Sequence, residues 1–242
     1  MRFLLSALIF FLSLPCPAKE RGFDRPLKVQ ERKAGLSRLV EPPQQIRETC
    51  WAYGGFALFW QEDPGIKGIE KIALREGPDP KALCSENYAG PSRPIATLSG
   101  WPLGVAGPFL LMQDEPLGNL AVLYALKLSD GKVAFTASRD VDAELVVEKK
   151  SGLVSLRYYA GLEPKCVPTR QNPACWERIK ADHKIPSDLS LPMPDCEGAF
   201  RKEPIARDTP AALAISVPVQ VRDLSNARPE FLPGRARCAA LP

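Results

Sequence analysis

Residues 119–159 read NLAVLYALKLSDGKVAFTASRDVDAELVVEKKSGLVSLRYY. Segments 121–128, 132–137, 142–149 and 153–159 are rich in β-branched and aromatic residues with partial apolar alternation, the pattern of short strands. Between the first two sits Ser129-Asp130-Gly131, and between the last two Ser151-Gly152. Asp-Gly and Ser-Gly supply the positive φ that tight hairpins need. Four strands with turns every 8–12 residues predict an antiparallel meander.

Composition agrees with this reading. Proline makes up 25 of 242 residues, about twice its average share. Proline inside a helix removes a hydrogen bond and clashes with the preceding turn, which argues against long helices and a helical bundle. Hydrophobic residues at 45% and charged residues at 25% belong to a globular chain rather than a disordered one. The expected fold class is mainly β, an antiparallel meander in a sandwich or barrel with long Pro-rich loops and disulfides. The loops are legible in Gly77-Pro78, Asp79-Pro80, Gly90-Pro91, Arg93-Pro94, Trp101-Pro102 and Gly107-Pro108.

The chain begins with a basic Met1-Arg2, an apolar run over 3–14 and the short segment Pro15-Cys16-Pro17-Ala18. These are the three parts of a secretory signal peptide, so residues 1–18 are expected to be removed after Ala18. A lipoprotein reading would acylate Cys16, but Pro15 stands where a small residue belongs. No later segment approaches the length of a membrane-spanning helix, so no membrane span is expected after cleavage. The expected localisation is secreted or periplasmic. A net charge of +4 lacks the basic density of a nucleic-acid binder, so no nucleic-acid partner is expected.

Removing Cys16 leaves Cys50, Cys84, Cys166, Cys175, Cys196 and Cys238. An even number in a secreted chain reads as a disulfide framework with 15 possible connectivities. Pairing neighbours along the chain gives Cys50–Cys84, Cys166–Cys175 and Cys196–Cys238. Six paired cysteines leave no catalytic thiol, and without CxxC pairs a zinc site has no ligand pattern. No cofactor and no metal are expected.

Residues 19–48 hold eight basic and five acidic residues with little apolar periodicity. They read as a charged, poorly ordered leader with a short helix over 28–39, followed by a single domain over 49–242. At its start, Cys50 to Trp60 (CWAYGGFALFW) carries five aromatic residues, which fill a core more often than they line a sugar platform. Residues 66–74 read as a strand. A helical turn is expected over 176–182, and a last strand over 213–221 is expected at a sheet edge because of Pro218. Leu74-Arg75 and Leu156-Arg157 stand at the same distance before Cys84 and Cys166, a hint of duplication.

Candidate chemistry is sparse. Ser129-Asp130-Gly131-Lys132, Ser85-Glu86-Asn87 and Lys150-Ser151-Gly152 match the three short motifs of the serine penicillin-binding proteins and β-lactamases. That resemblance fails in order and context: the S-x-N match precedes S-x-x-K, and two of the three matches are hairpin turns. His183 is the one imidazole. Its neighbour is Asp182, and sequence neighbours rarely orient each other in a triad, whose partners converge from separate segments. Asp140, Asp142 and Glu144 alternate and read as a solvated strand edge rather than a Ca2+ site. The expectation is a non-enzymatic binding or envelope-associated module with an unknown protein or polysaccharide partner in the envelope or extracellular space. The alternative is a hydrolase acting on an envelope or extracellular polymer through carboxylates or His183.

Overall fold

The structure is a computed structural model that describes residues 20–69, 71–96, 100–114 and 116–241. The expected signal peptide lies outside these residues. The fold is mainly β, with antiparallel sheets forming a nearly closed barrel or sandwich.

Residues 119–159 form strands as the sequence predicts, with one change of connection. Strands β9 (Leu120–Lys127) and β10 (Val133–Asp140) make a hairpin, as do β11 (Leu145–Lys150) and β12 (Leu153–Leu162). Ser151 and Gly152 have φ of 53° and 81°, the paired left-handed conformation that suits a two-residue hairpin. Strand β10 does not turn back onto β11. Its end touches β12 at Arg139↔Ala160, and after a turn at 141–144 β11 continues antiparallel to the same strand. Strands β7 (Trp101–Ala106) and β8 (Phe109–Gln113) complete the run β10-β9-β8-β7. On the other side β12 pairs with β13 (Leu213–Val221), which also pairs with β14 (Pro229–Phe231) and β15 (Arg237–Ala240). A short β1 (Glu20–Arg21) runs parallel to β11.

Pro218 therefore does not put β13 at an edge. The strand is internal, and Pro218 pairs with Tyr159 where β14 (opposite 219–221) and β15 (opposite 213–216) part company. The Pro218 carbonyl accepts from the Leu232 amide at 2.9 Å, on the side away from β12. N–H and C=O of one residue share an edge in an antiparallel strand, so the missing donor faces the gap and the β12 ladder is intact.

The second sheet corrects the largest expectation. Residues 28–36 are a strand, not a helix in a disordered leader. Strands β2 (Lys28–Leu36), β3 (Gln45–Ala52), β4 (Phe56–Glu62), β5 (Ile72–Glu76) and β6 (Ser92–Ala96) form a five-stranded meander. The strand expected over 66–74 starts at Ile72, after a loop that buries Ile69.

Strand β8 is the wall between two cores. Leu110 and Met112 join Leu58, Trp60, Ile72 and Leu74 of the small sheet. Phe109 and Leu111 face the larger core built by β9–β13 with helices α2 (Pro173–Asp182) and α3 (Glu197–Lys202). All four side chains are nearly inaccessible, as period-2 alternation requires of a strand covered on both faces.

The three disulfides are Cys50–Cys84, Cys166–Cys175 and Cys196–Cys238. The first ties the short helix α1 (Pro80–Leu83) and its loop to β3, the second closes the loop before α2, and the third joins the start of α3 to β15. The matching Leu-Arg…Cys spacings thus lead to unlike surroundings, one bond spanning 34 residues and the other nine.

Candidate functional site

The expected chemical residues are not brought together. His183 caps the C-terminus of α2, half-buried, with Nε2 3.4 Å from the Glu163 carbonyl. Asp182 pairs with Lys165 at 3.2 Å. Ser129 to Lys132 lie in the β9–β10 turn, where the Lys132 amide bonds the Asp130 carboxylate and holds it below its usual range. Lys150 ends β11 and Ser151 and Gly152 form the β11–β12 turn, while Ser85 to Asn87 lie in the loop after α1, where the Ser85 hydroxyl accepts from the Asn87 amide.

The acidic triplet is not a solvated edge. Asp142 and Glu144 are exposed in the turn between β10 and β11, and Glu144 pairs with Arg21 at 2.8 Å. Asp140 is buried, with 2% of its surface accessible. It accepts from Ser216 Oγ on β13 and from the Asp142 amide, each at 2.8 Å, and pairs with Arg237 of β15 at 3.3 Å. Asp140 is a structural pin across three strands.

The aromatic segment divides between the two faces of the small sheet. Tyr53 and Trp60 are buried in the inner core, where Trp51 meets Trp60 edge-on at 4.8 Å. Burial, and then the Asp24 carboxylate, push the Tyr53 hydroxyl well above its ordinary range. Phe59 points outward. The Arg75 guanidinium lies between Phe59 (4.2 Å to the centroid) and Tyr88 (4.8 Å), and its Nη1 donates to the Leu83 carbonyl at 2.9 Å. Burial, followed by the charge of Arg32, lowers the Arg75 pKa. Arg32 itself is bonded to Glu48 and pairs with Glu86 at 3.3 Å. A hollow of about 500 Å3 lies beside this stack, lined by Gln61, Lys71, Arg75 and Ser92.

A second groove, of about 660 Å3, lies between strands of the small sheet and β7. It is lined by Glu31 and Lys33 of β2, Arg47 of β3, Glu62 at the end of β4, Asp63 just after it, and Trp101 of β7. Several of these groups are already placed. Arg47 Nη2 lies 3.3 Å from Glu62 Oε2, Trp60 Nε1 donates to Glu62 Oε1 at 3.2 Å, and the Gly65 amide donates to Asp63 at 2.9 Å. An aromatic ring among fixed charges of both signs suits a polar partner held by several directional contacts. Among the described residues, no three His, Cys, Asp or Glu side chains are grouped to hold a metal ion.

These lining residues were not candidates from sequence: Glu31, Lys33 and Arg47 fall in the stretch read as a leader, and Glu62, Asp63 and Trp101 belong to no motif. The available signal was faint: in Gln45 to Ala52 apolar residues stand only at Ile46 and then at Cys50, Trp51 and Ala52. No protein-family model, curated protein or solved structure matches this chain.

Proposed function

We propose that this chain is a secreted or periplasmic, non-enzymatic binding module of the cell envelope or extracellular space, holding its partner in the groove between β2–β4 and β7. The observation that carries the reading is the groove's lining: Trp101 shares it with Arg47 and Glu62, and Glu62 is held from two directions, by Arg47 and by Trp60 Nε1. Side chains ordered before binding reduce the entropy that association must offset. Three disulfides fit an extracellular or periplasmic compartment. Support for export comes also from the signal-like residues 1–18.

The test is site-specific photocrosslinking in the producing cell. A photoreactive residue replaces Lys33 or Trp101 in the groove, or Asp223, which follows β13 of the larger sheet and is not among the groove's lining residues. The expected result is a discrete adduct from positions 33 and 101 and none from 223. Adducts without positional preference, or hydrolysis of an envelope polymer that Glu62→Gln abolishes, would overturn the proposal in favour of adventitious contact or a hydrolase.

A further inference from the structure

We propose that residues 20–24 form a detachable closing strand: the barrel assembles with an open seam between β7 and β11, and this segment enters the seam last, as a bound peptide would. The inference is independent of the groove.

Strands β11 and β7 are the two ends of the run β11-β12-β10-β9-β8-β7. The segment that begins with β1 joins them. On one side Glu20 and Arg21 pair in parallel with Leu145 and Val146, and Asp24 is bonded to Lys149. On the other side the Asp24 amide donates to the Val105 carbonyl at 2.7 Å, and the Asp24 carboxylate accepts from the Gly107 amide at 2.6 Å. Five residues thus bridge the two ends of the sheet.

The fit is specific to this sequence. The Glu20 carboxylate meets the Arg139 guanidinium at 2.8 Å. Arg139 is 1% accessible, its Nε and Nη1 have no hydrogen-bond partner, and Glu20 is its one ion pair among the described residues. A charge so deeply placed needs a matching one. Gly22 has a φ of 92°, and a Cβ there would overlap the Val147 carbonyl oxygen. Phe23 lies over Gly104, where a Cβ would stand 2.6 Å from its ring. Glu20, Gly22, Phe23 and Asp24 each meet a different feature of the seam.

The rest of the barrel does not depend on the segment for its core. Of the five residues only Phe23 packs against the larger core, and it is partly buried there, while Arg21 and Gly22 are exposed. The contacts span 83 residues to Gly107, 119 to Arg139 and 125 to Lys149. The entropy of closing such loops is offset only once both edges of the seam exist, although the segment is synthesised before either. The link to β2, Arg25-Pro26-Leu27, lies outside any strand. The Leu27 amide already donates to the Ala52 carbonyl at 2.7 Å, so residues 20–24 can leave without unpairing β2.

The test inserts the recognition sequence of a site-specific protease between Arg25 and Pro26, and the oxidised chain is cut after folding. A fluorescein-labelled hexapeptide of residues 19–24 is then added. Anisotropy follows its uptake, and tryptophan fluorescence monitors the fold. The expected result is uptake by the cut chain with an unchanged tryptophan signal, and none by the uncut chain, where the tethered segment has the higher effective concentration. An unlabelled hexapeptide carrying E20Q should compete about tenfold less well or worse, and one carrying G22A should not compete. Loss of the tryptophan signal on cutting, absence of uptake, or equal competition by a scrambled hexapeptide overturns the proposal. A second measurement needs no cut. In the whole chain, Glu20→Gln should speed amide exchange at Asp24 and Gly107 by about tenfold while the amides of β9 and β12 exchange as before. Equal acceleration throughout would mean that the segment opens only with the whole fold, and this too overturns the proposal.

Discussion

Replacing Asp140 by Ala should destabilise the protein by about 3 kcal/mol. The magnitude follows from what each partner loses. Ser216 is 1% accessible, and its hydroxyl would be left without the carboxylate at 2.8 Å. An unsatisfied buried polar group costs about 1–3 kcal/mol. The Arg237 side chain is 41% exposed and regains water, so its ion pair adds only about 0–1 kcal/mol. The Asp142 amide lies in an exposed turn and adds little more. Asp140→Asn keeps an acceptor oxygen and the side-chain volume, and should cost about half as much. Guanidinium unfolding of the oxidised protein, followed by tryptophan fluorescence, gives both values. Adding Ser216→Ala to Asp140→Ala should cost almost nothing more, because the hydroxyl has then lost its partner. That coupling should be about 1–2 kcal/mol. A change of less than about 0.5 kcal/mol for Asp140→Ala, a scale typical of unconnected surface sites, would refute the role of Asp140 as a pin joining β10, β13 and β15.

Two further predictions concern stability. Replacing Cys50 and Cys84 together by Ala opens a loop spanning 34 residues and should cost about 4 kcal/mol in the chain-entropy model, against about 2.5 kcal/mol for the nine-residue Cys166–Cys175 loop. Chemical unfolding of the two double variants checks the order, and the reverse order would contradict a loop-entropy origin. Burial raises the hydroxyl pKa of Tyr158, and burial with Asp24 does so for Tyr53. The unfolded chain ionises tyrosine near pH 10. Above that pH the folded protein binds more protons, so stability should be flat below pH 10 and fall beyond it by up to about 1.4 kcal/mol per pH unit for each tyrosine. Unfolding measured from pH 8 to 11.5 should show a shallower fall in Tyr158→Phe, and an unchanged slope would count against the effect.

The parts of the fold that sequence revealed are those where one residue type satisfies one geometric demand. Gly131 and Gly152 stand at positive φ in the β9–β10 and β11–β12 turns, and the cysteines pair with their neighbours along the chain. Strand β2 escaped notice for a physical reason. On one face Val29 is exposed and Glu31 and Lys33 line the groove, and the other face is only half covered, so no period-2 apolar signal is written into it. The groove was hidden with it. Asp140 was misread because alternation of acids implies exposure only when no partner arrives from elsewhere, and Ser216 and Arg237 lie far along the chain. Pro218 was placed at an edge by a rule that counts missing donors but not the gap between β14 and β15 that tolerates one.

Strand β8 has a consequence for how the molecule opens. With Leu110 and Met112 committed to one core and Phe109 and Leu111 to the other, neither layer has a polar face to retreat to. Peeling β2–β6 away would bare Val105, Leu110, Met112 and Leu126 to water at once. Partial unfolding along that seam is therefore as costly as losing a core, and the two layers behave as one cooperative unit. Amide exchange in β4 and in β8 should report a shared opening free energy. A partner gripping the rim of the small sheet would be pulling on the whole barrel.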